Sequence, residues 1–159
     1  MATQIRVSVL VEVTENYTGD LGNPGKVHRW SKDVTYLNGN GSGQFNKAYS
    51  DIASATTSYD VAAGVTDAQG AAITMSKLGL IVAENRGTTS GDVMRVGGNA
   101  NAVPVFGAAA QYFTLGPQGF AVVVNPVDGW TVTAGTGDIL DLTHTAGTYD
   151  HALIVAGRN

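Results

Sequence analysis

The sequence contains no cysteine, which excludes disulfides and thiolate metal sites and leaves the redox compartment undecided. Cations are scarce and unevenly placed: between Arg95 and Arg158 there is no lysine or arginine. A nucleic-acid surface needs clustered positive charge, and that half of the chain cannot supply it. No apolar run approaches the roughly 20 residues that a membrane-spanning helix requires. Charged residues make up only 14% against 43% hydrophobic ones, so the chain does not have the composition of a disordered segment. Met1-Ala2-Thr3-Gln4 leads straight into a strand pattern. No secretory leader is read there, and the expectation is synthesis and folding in a cytoplasm.

What is abundant is glycine, 21 residues, scattered among Thr, Ser, Val and Ala. That mixture favours strands and turns over helices. Ile5, Val7, Val9, Val11 and Val13 alternate with Arg6, Ser8, Leu10 and Glu12, the clearest period-two pattern in the chain. It predicts a strand with one buried face. Residues 15–27 carry loop signals (Asn16, Gly19, Asp20, Gly22, Asn23-Pro24-Gly25). Residues 28–33 read as a polar segment around Trp30, followed by a short strand at Val34–Leu37, and Asn38–Gly43 as a long loop or wide turn. Ala53, Ala55, Thr57, Tyr59 and Val61 share one face of a further strand, and residues 71–85 form two strands or one long strand bent at Gly79, where a bulge is expected.

Beyond Pro104, which cannot donate to a ladder and so marks an edge, the organising stretch is Gly116–Leu142. Phe120–Val124 reads as a strand buried on both faces, Trp130–Thr133 as a second and Ile139–Leu142 as a third, joined by glycine turns into a meander. A last strand closes the chain, with Tyr149, His151, Leu153 and Val155 opposite Asp150, Ala152, Ile154 and Ala156. Eight to eleven short strands predict an all-β chain, an antiparallel β-sandwich with jelly-roll character. Residues 1–159 read as one domain, with residues 1–13 a strand or arm available for contacts.

Motifs for chemistry are sparse. Gly39–Gly43 and Gly135–Asp138 look like phosphate loops, but no helix pattern or Gly-Lys-Ser/Thr ending follows either. His28, His144 and His151 show no metal-ligand spacing, although His144 and His151 can meet across a hairpin with Asp141 and Asp150 nearby. A solvated hairpin end accounts for the same residues. No carboxylate pair is singled out for glycoside hydrolysis, and no Gly-x-Ser-x-Gly elbow occurs. No catalytic, metal or cofactor site is assigned. Trp30 and Trp130 are the candidates for stacking on sugars, but Trp130 reads as a core residue at one end of the sandwich and Trp30 as core or partner contact. Asn16-Tyr17-Thr18 and Asn40-Gly41-Ser42 fit the glycosylation pattern, which means little without a leader.

One set of segments carries a resemblance: Ala48-Tyr49-Ser50-Asp51 through Tyr59-Asp60-Val61, Gly64–Ala71, Lys77–Val82, Val96–Ala100, and above all Gly129–Leu140 with the closing Tyr149-Asp150. In these the sequence resembles a family of small virion structural proteins of tailed bacteriophages, of the capsid decoration (cement) type. The resemblance implies a non-enzymatic β protein without cofactor, made in the host bacterial cytoplasm and carried on the outer capsid surface. Its implied partners are the major capsid protein and further copies of itself, as a symmetric oligomer such as a trimer, with no nucleic acid and no membrane. Ile5, Val7, Val9, Trp30 and Tyr36 are the candidate contact residues, with the Asn38–Gly43 loop beside them. The alternative is a carbohydrate- or receptor-binding module of a tail or fibre.

Overall fold

The structure is a computed structural model that describes residues 4–15, 26–67, 69–108 and 110–159. Among these no helix forms, and the thirteen strands pair antiparallel throughout. They run β1 (Ile5–Glu15), β2 (Lys26–Tyr36), β3 (Lys47–Ala53), β4 (Thr57–Asp60), β5 (Val65–Thr66), β6 (Ala72–Ile73), β7 (Lys77–Asn85), β8 (Met94–Gly97), β9 (Tyr112–Leu115), β10 (Phe120–Val124), β11 (Trp130–Thr131), β12 (Ile139–His144) and β13 (His151–Arg158).

Two sheets make the sandwich. One has the order β10-β7-β13-β3, with β11 also on β7, and the other β4-β12-β8-β9. Between them lie Leu78, Ile81 and Ala83 of β7 and Leu153 and Val155 of β13, facing Met94, Val96, Leu140 and Leu142 of the second sheet, all buried. Each such aliphatic side chain is worth about 1.5–3 kcal/mol when taken from water. The chain crosses between the two sheets repeatedly, and this corrects the meander reading. β10 and β11 both pair with β7 rather than with each other, and β12 belongs to the opposite sheet. A two-residue period shows that a strand exists and which residues share a face; it carries nothing about the partner. The expected strand through Ala53–Val61 likewise divides at residues 54–56 into β3 of one sheet and β4 of the other.

The expected bulge is present. Ala156 pairs with Leu80 and Gly157 with Leu78, leaving Gly79 as the extra residue of β7. The space there admits only hydrogen: a Cβ on Gly79 would lie 2.2 Å from the ring of Phe45, and one on Gly157 2.1 Å from the Lys77 carbonyl oxygen.

Residues 28–33 are not a loop. They continue into a single strand, β2, which pairs with β1 over its whole length, from Ile5 opposite Tyr36 to Glu15 opposite Lys26. The two form a separate ribbon, and at about 3.3 Å per residue its eleven positions span roughly 36 Å. Its base is pinned by a second small core in which Tyr36, Phe45, Leu80 and Ala156 are buried, with Ile5, Val7, Val34, Val82 and Val122 around them. Tyr36 and Phe45 stack with ring centroids 4.3 Å apart. The loop Asn16–Gly25 lies outside the described residues. Trp130 is half-buried against the main core.

Candidate contact surface and a buried histidine chain

Pairing puts Val7 beside Val34, Val9 beside Lys32, Val11 beside Trp30 and Val13 beside His28 on one face of the ribbon. The other face is mixed, with Leu10 (66%) and Val27 (47%) exposed among charged and hydroxyl side chains. Arg6 forms an ion pair with Asp33, Ser8 donates to Asp33 (3.1 Å) and Arg29 to Glu12 (2.7 Å). The Arg6 hydrogen bond holds the Asp33 carboxyl below its ordinary range. Both groups are fully solvated, so these pairs fix register more than they stabilise.

The apolar face changes character along its length. Near the base it rests on the sheet of β7. Further out it leaves the body, and Val11 (48%), Val13 (52%) and Trp30 (57%) are exposed. Where ribbon and sheet diverge they enclose a groove of about 450 Å³, walled by Val7, Val9, Trp30 and Val34 on the ribbon and Phe120 and Val122 on β10. β10 is therefore not buried on both faces: Ala121 and Val123 join the main core, whereas Phe120 is 70% exposed.

Of the five candidate contact residues, Ile5, Val7, Val9 and Trp30 lie on this one face, and Trp30 presents the largest free surface among them. Tyr36 shares the face and lines the groove, but it is 1% exposed with its ring stacked on Phe45. Phe120 was not singled out from sequence, because its run looked like interior strand. The Asn38–Gly43 loop is tied back to the body, with Ser42 donating to the Val127 carbonyl (3.1 Å) and the Phe45 N–H to Leu37 (3.0 Å).

His144 and His151 do meet across the hairpin, and the favoured reading of a solvated hairpin end is corrected. His151 is completely buried. Its Nδ1 lies 2.9 Å from His144 Nε2 and its Nε2 2.9 Å from the Tyr59 hydroxyl, which reaches Asp51 at 3.0 Å. One proton assignment satisfies the row: His144 donates to His151, His151 to Tyr59 and Tyr59 to the Asp51 carboxylate. Asp51 and His151 stand on one sheet and Tyr59 and His144 on the other, so the row bolts the two together. Asp141 is engaged elsewhere, accepting from Asn99 (2.9 Å). No metal-binding group of His, Asp and Glu forms among the described residues.

Burial lowers the pKa of both histidines below the ordinary 6.5, helped for His151 by the neighbouring His144 and opposed for both by Asp150. Burial and the Asp51 hydrogen bond raise that of Tyr59. The native state thus keeps both imidazoles neutral, while the unfolded chain protonates them below about pH 6.5. More protons on the unfolded side mean that stability rises with pH, and so is lost as the solution is acidified. The denaturant midpoint should be level from pH 8 to 7 and drop from about pH 6.5 downward, above the carboxylate range. A level midpoint to pH 5 would refute the neutral pair.

Comparison with family models, with curated proteins and with solved structures finds no match to this chain.

Proposed function

We propose that this protein is a non-enzymatic structural subunit of a tailed-phage virion, seated on the outside of the head as a decoration protein between capsomers. The observation that supports this most is the ribbon: a two-stranded arm leaves a well-packed sandwich with its apolar face open at Val11, Val13 and Trp30. An isolated two-stranded ribbon is marginal in water and gains by being covered. A subunit that binds the assembled shell and not its dissociated parts stabilises the shell by mass action. That role asks for a rigid body and a reaching surface, and both are present.

The groove argues against the glycan reading. Sugar sites set polar groups beside the stacking ring, whereas here Trp30 is flanked by Val7, Val9, Val34, Val122 and Phe120, with Lys32 at the rim.

The test is to add purified protein to undecorated heads of the cognate phage. Saturable binding at a copy number that tracks the capsomers, with a raised temperature of head disruption, is expected. Binding confined to the tail, or retention on glycan arrays abolished by Trp30→Ala, would overturn the proposal.

A further inference from the structure

The sheet that walls the groove ends in an unguarded edge. β10 is its last strand and pairs only with β7. The bonds from the Asn85 N–H to the Gly119 carbonyl (2.8 Å) and from the Asn125 N–H to the Gly79 carbonyl (2.9 Å) fix the phase of that ladder. In an antiparallel pair the residues that exchange bonds alternate, so Ala121 and Val123 bond to β7. Phe120, Val122 and Val124 turn their N–H and C=O groups the other way, and no hydrogen bond reaches those six groups from the described residues. The same three side chains line the groove. An extended strand laid along this edge therefore meets backbone partners and apolar surface together.

We infer that the strand laid there is β10 of a second copy, paired antiparallel about a two-fold axis at Val122. The inference goes beyond the proposed function and does not depend on it.

Three observations single out a second copy. The first is register. Val122 is the middle residue of β10 and points outward, so it faces Val122 of the second copy while Phe120 faces Val124 of that copy. All six free backbone groups of each copy are used, and none is left over at either end. The second is side-chain fit. The axis brings valine against valine and each flank brings phenylalanine against valine, combinations that stabilise neighbouring strands. Phe120 is the most exposed large apolar side chain among the described residues, and its new neighbour Val124 lines the second copy's groove. The third is charge. β10 carries no charged residue, whereas β3, the opposite edge of the same sheet, carries Lys47 and Asp51, the kind of guard that prevents edge pairing. Glu84, beside Phe120 on β7, is paired with Arg86 (2.9 Å). Its two-fold mate would stand three strands across and four residues along, about 19 Å away, beyond the roughly 10 Å over which exposed charges repel in salt.

Such a contact is isologous and closes on itself as a dimer, with the two β7 sheets continuous across the axis.

The experiment follows the full-length protein over a concentration series by sedimentation and by hydrogen exchange of individual amides. A dimer is expected. The Phe120, Val122 and Val124 amides should exchange slowly in it and fast once dilution gives monomer, while Ala121 and Val123 stay protected throughout. Val122→Pro removes the donor at the axis but no bond to β7, so it should keep the wild-type circular dichroism and sediment as a monomer. Val122→Lys, which sets two like charges face to face across the axis, should do the same and serves if the proline variant misfolds. A monomeric wild type overturns the inference, and so does a dimer that survives either folded variant or leaves the three amides in fast exchange. Protection that appears in a monomeric wild type only when cognate capsid protein is added gives the edge to a foreign strand and overturns it too.

Discussion

Replacing Asn85 by leucine is expected to remove about 3–5 kcal/mol of stability, although the two side chains are close in size. Asn85 is completely buried at the end of β7. Its Nδ2, with two hydrogens, lies within hydrogen-bond reach of the carbonyls of Asp92 (2.8 Å), Leu115 (3.0 Å) and Gly116 (2.9 Å), so that one hydrogen is shared, and its Oδ1 accepts from the Gly87 N–H (2.9 Å). One amide thus closes the turn after β7, the approach to β8 and the exit from β9. Leucine would take this partner from the Gly87 N–H and from the Asp92 and Leu115 carbonyls, each worth about 1–3 kcal/mol when stranded away from water, whereas the Gly116 carbonyl still accepts from the Gly119 N–H (2.9 Å). The total falls short of the sum because relaxation admits water. For a chain of this length the melting temperature should drop by roughly 10 °C or more. Equilibrium unfolding in urea checks it, and a loss below about 1 kcal/mol would show that the amide is not the clamp described.

Asn85 also shows what the sequence leaves unread. It stands at the end of a run, Leu78–Glu84, whose strand character is plain, and nothing local distinguishes it from any asparagine entering a turn. Its partners lie up to 31 residues away. The His144–His151 contact was legible because it spans seven residues; Tyr59 and Asp51 were not, since Tyr59 and His151 are 92 apart. Strand existence was legible wherever a face meets the core, as in β1, β7 and β13. The ribbon's second strand was missed because His28, Trp30 and Lys32, which share a face with Val13, Val11 and Val9 of β1, are not aliphatic, so no apolar alternation marks the strand and the segment reads as a polar loop.

The second large effect is expected at the ribbon's seat. Gly79→Ala should cost about 3 kcal/mol, near the upper end for overpacking by one methyl. The new Cβ meets Cε1 and Cζ of Phe45 at 2.2 Å and the Asn125 carbonyl oxygen at 3.2 Å. Phe45 cannot swing aside. It is 1% exposed and stacked on Tyr36, which is equally buried. Phe45→Ala alone opens a cavity and should cost about 3–5 kcal/mol. The double variant should be less destabilised than the sum of the two, by about 1–2 kcal/mol, because the truncated ring gives the methyl its room. Strict additivity would show that the bulge, not the ring, resists the substitution. The same clash decides how the ribbon is held, since the Phe45 ring can yield only by lifting Tyr36 and with it the base of β2. Amides of β1 and β2 should then exchange with deuterium faster in Gly79→Ala than in wild type, with those of β12 and β8 unchanged. That pattern separates loosening of the arm from loosening of the whole sandwich, and it makes the fit of one ring over one glycine the hinge on which the arm's reach depends.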